Sequence, residues 1–363
     1  MADLIGRLEL ARELIEGGCP AQALRALPAR GALPSALRAE RDLLEAEAWR
    51  EAGFFGRARG LYGRVLRRPG DAGGDPVLRL EASLGLASLL RSVGEGAAAR
   101  RLLNEASRRS LRLGLRHYRP RIRLEGLLVD RALGRFHRSL QGLNALLKSA
   151  LRRKDGAEAA FLLWAVGGAL RLQGKLMESE AAFRRSGKLA RACGDSRGAG
   201  YALLGLAGVV RIAGRPGESA AHYERAGRLF AGTEDAFAQA YASCGQGNGL
   251  RQSGRLKEAE RCYLRSRAIY SKLGDGPDLA YVEWGLGQVY LQTGRPALAG
   301  ARLRAARTLF LRHNEERGAA LSELSLSRLL YLQGRVRDAE RLHAKALDRA
   351  RRAGLHTHLE VFT

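Results

Sequence analysis

One spacing constrains the fold of this sequence more than any other feature: a glycine recurs every 40 residues along most of the chain. A fixed period of this size indicates a small unit repeated end to end, which grows in one dimension and needs no separate globular cores. Function is then expected on a surface that many units share. The glycines, called anchor glycines below, are Gly94, Gly134, Gly174, Gly214, Gly254, Gly294 and Gly334, with Gly53 lying 41 residues before the first of them.

Each unit reads as two helices joined by a turn at its anchor glycine. The segment 157–173 places apolar or small residues at the spacing of one helical face, and Gly174 then suits the left-handed conformation of a helix exit. The segment 176–193 has its own stripe of small residues around an aromatic ring, as close helix crossing requires. The first stripe is Leu163, Val166, Gly167 and Leu170, and the second is Ser179, Phe183 and Ser186.

These stripes resemble the tetratricopeptide repeat (TPR), whose second helix carries Ala, Tyr or Phe, and Ala in that order. The family's usual unit has about 34 residues, and the longer unit here is similar to Pins-type and kinesin-light-chain-type members. The resemblance covers roughly 35–353 and implies an all-α, right-handed α-solenoid of about nine antiparallel helix pairs, a TPR-like superhelix. The positions that carry it are Leu206, Ala207, Val210, Gly214, Ser219, Tyr223 and Ala226, and again Leu286, Gly287, Tyr290, Gly294, Ala299 and Ala306.

Departures from the repeat suggest boundaries near both ends. Residues 1–34 are predicted to form an N-terminal capping helix pair, and 35–353 the tandem repeats. The stretch 69–76, rich in proline and glycine, is a candidate hinge, and 354–363 is predicted to be a C-terminal tail. The helix before Gly134 carries Asp130 where other units have an apolar residue, so the register of that helix stays open.

The chain is strongly basic, with 62 Lys and Arg residues against 37 Asp and Glu and a net charge of +25. Such an excess favours an anionic partner: an acidic peptide, a nucleic acid or an anionic lipid. A genomic bias toward Arg, Ala, Gly and Leu is the competing explanation. The bias accounts for the preference for Arg over Lys more readily than for the net excess, because acidic residues could have balanced the charge.

Nothing in the sequence predicts catalysis, a cofactor or a metal site. The seven histidines share no helical face, and no GxSxG, Walker-type or HExxH motif is present. The four cysteines form no CxxC pair, which favours a reducing compartment. No segment has the length of a membrane span or the pattern of a signal peptide. The expectation is a non-enzymatic, soluble, cytoplasmic protein without a transmembrane segment.

The strongest functional signal is a second row, an arginine three residues before the anchor glycine in six consecutive units. Residues three, six, ten and thirteen before each glycine share one face of the first helix, away from its packing stripe. In tetratricopeptide arrays this face lines the concave groove, so the resemblance implies arginines along one edge and tyrosines along the other. The candidate partner-binding residues are Arg131, Arg171, Arg211, Arg251, Trp164, Tyr201, Tyr241, Asn248, Tyr281, Trp284 and Gln288.

These residue types match an acidic peptide. Arginine binds carboxylates bidentately, amides hydrogen-bond a peptide backbone, and aromatic rings supply apolar area. Gly168 and Gly208 lie one turn before the arginines of their own units, so those guanidinium groups are expected over bare backbone. Two structural alternatives stay open: the arginines could pair with Glu178, Glu218 or Glu258, and the tyrosines could pack between first helices.

The sequence therefore predicts a scaffold or adaptor that binds an acidic peptide or helical segment of a partner protein in a basic, tyrosine-lined groove. The alternative is a helical repeat protein that binds RNA or another nucleic acid through its overall positive charge. Self-association through the end repeats is a third interpretation. Salt dependence of binding separates the first two, because contact with many phosphates gives a steep loss of affinity as salt rises.

Overall fold

The computed structural model describes residues 2–67 and 75–353, and within these ranges the regular elements are helices. Eighteen α-helices in the described residues follow one another as sequential pairs, which confirms the predicted all-α solenoid of about nine helix pairs. Most of the candidate hinge at 69–76 and the whole tail at 354–363 lie outside the described residues. None of the described helices is long and apolar enough to cross a membrane.

Helices with odd numbers are the first of each pair and those with even numbers the second. The first helices are α1 (Ala2–Glu16), α3 (Ser35–Glu51), α5 (Pro76–Ser92), α7 (Arg119–Ala132), α9 (Gly156–Leu172), α11 (Ser196–Ile212), α13 (Ala236–Gln252), α15 (Gly276–Gln292) and α17 (Glu316–Leu332). The second helices are α2 (Pro20–Ala26), α4 (Phe55–Arg67), α6 (Gly96–Arg112), α8 (Phe136–Arg152), α10 (Leu176–Ala192), α12 (Pro216–Phe230), α14 (Leu256–Leu273), α16 (Pro296–Arg312) and α18 (Val336–Arg352). Short turns of 3-10 helix lie at Arg30–Ala32 and Arg116–Tyr118.

The anchor glycines end the first helices, as predicted. All eight have a positive φ, between 67° and 84°, which a residue without a Cβ adopts at little cost. Similar turns end several second helices, where Lys154 and Asn314 adopt φ values of 58° and 53° in place of glycine. Asp195 and Asp275 follow two such turns, and each side chain accepts a hydrogen bond from the backbone N–H group three residues later.

Two parts of the core each contain an aromatic ring that packs between two glycines of neighbouring first helices. A Cβ placed on Gly167 would lie 3.1 Å from the Phe183 ring, and one placed on Gly205 would overlap that ring. Tyr263 is held in the same way, 3.0 Å from a Cβ on Gly247 and 2.5 Å from one on Gly285. The predicted packing of a small residue against a large one is therefore confirmed, because only a bare backbone leaves room for these rings.

The chain divides into two compact units. Unit 1 comprises Met1–Gly205 with Leu229–Ala236, and unit 2 comprises Leu206–Arg228 with Phe237–Thr363. The division passes through α11 and α12, so each unit takes part of both helices.

Unit 1 contains contacts between residues that are far apart in the sequence. Arg197 Nη2 at the start of α11 donates to Glu51 Oε2 at the end of α3, 146 residues earlier, at 2.7 Å. The backbone N–H of Ala21 in α2 donates to Glu234 Oε2, 213 residues later, at 2.5 Å. Stacked repeats normally touch only their neighbours. These two hydrogen bonds, called the closing contact below, therefore tie the first layers of unit 1 to its last.

Arg197 is the centre of the closing contact. Its Nε also lies 3.2 Å from Asp235 Oδ2, so one guanidinium group joins two carboxylates. Burial alone would lower the pKa of Arg197, but the Glu51 and Asp235 carboxylates raise it above its usual value. The carboxylates of Glu51 and Asp235, which come from early and late parts of unit 1, thus stabilise the charged form of Arg197.

Candidate functional site

The arginines of the row in unit 1 fall into two groups. Arg50 pairs with Glu47 at 2.6 Å and with Glu51 at 2.7 Å, and Arg91 lies 3.6 Å from Glu125. The next two members of the row, Arg131 and Arg171, have no carboxylate within 4.0 Å in the part of the chain that the structure describes. The row therefore begins as a set of ion pairs and continues with cations that form no ion pair within 4.0 Å among the described residues.

Arg131 is the most confined of these cations. Its Nη1 donates to the Ala165 carbonyl oxygen at 3.3 Å, and its guanidinium carbon lies 5.5 Å from the centre of the Trp164 ring. Burial, together with the positive charges of Arg91 and Arg171, lowers the pKa of Arg131 to about 10. Arginines from three successive pairs thus repel one another around this point, and an anion bound here would relieve that repulsion.

The bare backbone at Gly168 does not lie under Arg171, the arginine of its own helix pair. A Cβ on Gly168 would lie 2.7 Å from Nη1 of Arg131, which comes from the preceding pair. The expectation that Arg171 covers Gly168 is therefore wrong. The arginine side chain is long enough to extend along the stack to the next first helix, instead of leaning back along its own.

The glutamates considered as alternative partners for the arginine row have other partners. They pair with the cation that follows each anchor glycine, in Lys175–Glu178 at 3.9 Å, Arg215–Glu218 at 2.8 Å and Arg255–Glu258 at 2.6 Å. All three are short-range pairs at the start of second helices. These pairs show that each of the three glutamates has a partner at the start of its own second helix.

Aromatic rings accompany the arginines in unit 1. Phe161, Trp164, Tyr201 and Phe230 form a continuous row with ring centres 5.3–6.3 Å apart. The Tyr201 hydroxyl donates to Asp235 Oδ2 at 2.9 Å, so its polar end is already bound. Phe161, which lies thirteen residues before Gly174, is 42% exposed and was not among the predicted site residues. Its place in the periodic row was the signal that could have identified it.

The unit 2 part of the predicted site centres on Arg251. This residue is only 7% exposed, and its guanidinium carbon lies 5.3 Å from the centre of the Trp284 ring. Arg251 Nε is buried without a hydrogen-bond acceptor, and no carboxylate lies within 4.0 Å of the side chain among the described residues. Arg251 is therefore a second confined cation, comparable to Arg131 in unit 1.

The polar side chains near Arg251 are partly bound to one another. Trp284 Nε1 and Gln288 Nε2 both donate to Ser325 Oγ, at 3.0 and 2.5 Å. Asn248 Oδ1 accepts from the Tyr263 hydroxyl at 2.8 Å, while its Nδ2 has only the Cys244 sulfur at 4.0 Å. Asn248 Nδ2 is thus a donor that a peptide carbonyl could use.

The tyrosines of unit 2 differ from one another. The Tyr281 hydroxyl donates to Glu315 Oε2 at 3.0 Å, the same link to the next pair that Tyr201 makes in unit 1. Tyr241 stacks on Phe237 with ring centres 6.3 Å apart, and its hydroxyl has no hydrogen-bond partner among the described residues. Packing between pairs therefore explains part of the tyrosine row, and Tyr241 retains a free polar end. Arg211, the remaining predicted residue, is half-buried on α11.

Asp278, in the first turn of α15, adds a titratable group to unit 2. Its carboxyl group is close enough to interact electrostatically with four other titratable groups, Asp275, Cys244, Tyr270 and Tyr281. Burial, and then the charge of Asp275, raises the pKa of Asp278 to about 8. The carboxyl group is therefore largely protonated at neutral pH, so it adds little negative charge to this part of unit 2.

Asp278→Asn is expected to make the protein more stable than the wild type above pH 8, because the variant has no buried carboxyl group that must lose its proton. The folded carboxyl binds a proton that an unfolded Asp, with a pKa of about 3.9, has already released. Wild-type stability should therefore fall as pH rises from about 4 to 8, and the amide variant should lack that fall. Urea unfolding followed by circular dichroism at pH 5, 7 and 9 measures both slopes.

Glu158→Gln is a matched control for Asp278→Asn, since Glu158 is a first-turn carboxylate in α9 that pairs with Arg153. This variant should gain no stability at high pH. Parallel pH profiles for wild type and Asp278→Asn would show that Asp278 is ionised throughout and would contradict the prediction.

Comparison with known proteins gives a family match for part of the chain and a fold match for nearly all of it. The family model for the tetratricopeptide repeat matches residues 238–312. Comparison with curated protein sequences gives no match. A Rap protein complexed with Competence and Sporulation Factor has a similar structure, with a TM-score of 0.68, 10% identity, and coverage of 97% of this chain and 99% of its own.

Two further solved structures are similar. The apo form of the quorum sensor NprR from B. thuringiensis has a TM-score of 0.57 at 11% identity, covering 96% of this chain and 99% of its own. BtubC (BKLC) from P. vanneervenii has a TM-score of 0.51 at 16% identity, covering 61% of this chain and 93% of its own. At these identities the likeness shows the α-solenoid fold.

Proposed function

This chain carries tetratricopeptide repeats, and we propose from that premise that it is a non-enzymatic scaffold or adaptor for a partner protein. It binds an acidic peptide or helical segment on the first-helix faces that carry the arginine row. In unit 1 the binding residues are Arg131, Trp164, Arg171 and Tyr201, joined by Phe161. In unit 2 they are Arg211, Tyr241, Asn248, Arg251, Tyr281, Trp284 and Gln288.

One observation carries the proposal: Arg131, Arg171 and Arg251 have no carboxylate partner in the described residues. Arg131 and Arg251 are also confined against tryptophan rings. A confined cation without a counter-ion destabilises a fold unless something compensates for it. Carboxylates of a bound segment would supply that compensation through charge-assisted hydrogen bonds.

The surrounding side chains favour a peptide over a bare anion. The exposed Phe161 ring and the Tyr241 ring offer apolar contact beside the arginines. Asn248 Nδ2 is placed to donate to a peptide carbonyl. A segment that alternates Glu or Asp with Phe or Leu would therefore use both the cations and the rings.

The structural neighbours support a ligand-binding use of this fold. One of them is a Rap protein in complex with Competence and Sporulation Factor, and another is a quorum sensor. A third is named aspartyl phosphate phosphatase F, at 10% identity. The proposal contains no catalytic step, because the inward faces offer arginines, amides and aromatic rings. It places the protein in the reducing cytoplasm, in keeping with four free cysteines.

The proposal is tested by fluorescence anisotropy of the full chain with three labelled probes. These are a 15-residue peptide alternating Glu with Phe and Leu, the same peptide with Gln for Glu, and a single-stranded RNA of similar charge. We expect the acidic peptide to bind at least about 10-fold more tightly than the Gln peptide. Its affinity should fall only modestly between low and high salt, because apolar anchors are insensitive to screening.

Two results would contradict this function. Equal binding of the Glu and Gln peptides would remove the anionic part of the proposal. Tighter binding of the RNA, with a steep loss of affinity as salt rises, would favour the nucleic-acid alternative. Sedimentation at several protein concentrations, run on the same samples, separates ligand binding from self-association.

A further inference from the structure

A polar cavity of about 520 Å³ opens in unit 1 between α6, α7 and α8. It involves the second helices of two neighbouring pairs, and none of the arginines of the first-helix row lines it. Its charged lining consists of Arg100, Arg123, Arg138 and Asp130. Asn104, Ser107 and Gln141 add polar groups, and Leu103, Ile122, Leu127 and Ala145 supply apolar surface.

Asp130 lies in the lining of this cavity and contacts three arginine side chains. Its side chain is buried, and its carboxylate oxygens lie 2.6 Å from Arg100 Nη2, 3.3 Å from Arg135 Nη1 and 3.4 Å from Arg138 Nε. Units further along the chain have Leu170, Val210 and Leu250 at the equivalent position. The residue that left the register of α7 uncertain in the sequence is thus a buried anchor for three guanidinium groups.

The cavity also has an arginine at a position where later repeats have glutamate. Arg138 occupies the position that Glu178, Glu218 and Glu258 hold in the following units. Gly126 has no side chain, and a Cβ there would come within 3.3 Å of Arg100 Nη1. The backbone of α7 therefore leaves space for the Arg100 side chain, which also donates to the Gly126 carbonyl oxygen at 2.6 Å.

The cavity holds more positive charge than Asp130 can neutralise. Three arginines and one aspartate leave its lining with a formal charge of +2. Arg123 has no ion pair in the part of the chain that the structure describes. Arg100 Nε is buried, and no acceptor among the described residues forms a hydrogen bond with it. Both features indicate that an additional anion could bind in this cavity.

We propose that this cavity binds a small organic phosphomonoester. A phosphate monoester carries close to two negative charges at pH 7, which matches the uncompensated charge, whereas a single carboxylate would leave half of it. Arginine forms bidentate hydrogen bonds with phosphate oxygens. The apolar surface of Ile122 and Leu127 would receive the organic group, and the volume suits a small-molecule ligand.

Isothermal titration of the full chain with phenyl phosphate tests this proposal. Phenyl sulfate, inorganic phosphate and benzyl alcohol serve as comparison probes. We expect phenyl phosphate to bind most tightly, because it alone combines the dianion with an apolar ring. The double variant Arg123→Gln, Arg138→Gln should weaken phenyl phosphate binding by about 10-fold or more. Both side chains are exposed, so the fold should survive, as circular dichroism can verify.

The matched control is Arg261→Gln, Arg265→Gln, which removes two exposed arginines from α14 of unit 2. This control should bind phenyl phosphate as the wild type does. An equal loss in both double variants would mean that net charge attracts the ligand, and it would overturn the site. If phenyl sulfate binds as tightly as phenyl phosphate, the cavity does not require a dianion. If inorganic phosphate binds as tightly as phenyl phosphate, the apolar surface does not contribute to binding. Either result would overturn the proposed ligand class.

Discussion

Replacing Arg131 and Arg171 together by alanine is expected to weaken binding of the acidic peptide to unit 1 by at least about 100-fold. Hydrogen bonds between charged groups contribute about 1.5–3 kcal/mol each, and the double variant removes two such donors from one face. The Trp164 ring would also lose the guanidinium group that lies 5.5 Å from its centre. Anisotropy titration at a fixed salt concentration measures the change.

Two further variants separate local recognition from net charge. Arg108→Ala with Arg112→Ala removes the same charge from exposed positions on α6 and should change affinity by less than about 3-fold, since distant surface charges are screened. Arg131→Lys with Arg171→Lys keeps the charge but loses the bidentate geometry, and we expect an intermediate loss. Similar losses in the two alanine double variants would overturn the assignment of Arg131 and Arg171.

Phe183→Ala is expected to destabilise unit 1 by about 3–5 kcal/mol, the usual cost of truncating a buried phenylalanine. The Phe183 ring fills the space between Gly167 and Gly205, and neither glycine has a side chain that can move into the cavity. The loss should concentrate at the interface of α9, α10 and α11, where hydrogen exchange would show faster amide exchange than in the wild type. Denaturant unfolding gives the total change.

Leu111→Ala is the control for this substitution, because Leu111 on α6 is 64% exposed and its truncation creates no cavity. Its effect should stay within about 0.5 kcal/mol. Gly205→Val tests the same clamp from the opposite side, since its side chain would overlap the Phe183 ring. A Phe183→Ala variant that loses less than about 1 kcal/mol would mean that the neighbouring helices close the gap, contrary to the tight packing described here.

Local chemistry explains why so much of the fold was predictable. The anchor glycines end first helices because a left-handed exit favours a residue without a Cβ, and that requirement depends on the chain alone. The pairing of Phe183 with Gly167 was visible for a similar reason, since volumes at helix crossings must complement each other. Repetition then carried each local rule to the neighbouring units.

The departures from prediction involve side chains that reach beyond their own helix. Arg131 covers Gly168 of the next pair, a contact that depends on how successive layers stack and not on helical spacing. Asp130 was an anomaly in a single helix and becomes intelligible only beside arginines from α6 and α8. Arginine spacing could indicate a cationic face. Only the contacts distinguish Arg50, which has carboxylate partners, from Arg131, which has none within 4.0 Å among the described residues.

The closing contact has a topological consequence for how a ligand reaches unit 1. With Arg197 bound to Glu51, the chain between these two residues forms a loop that a side-chain hydrogen bond closes. A free chain terminus could thread into such a loop, whereas an internal segment of a partner could enter only while both hydrogen bonds of the closing contact are broken. The opening rate of the closing contact would then limit the association rate of internal segments and leave the rate for termini unchanged.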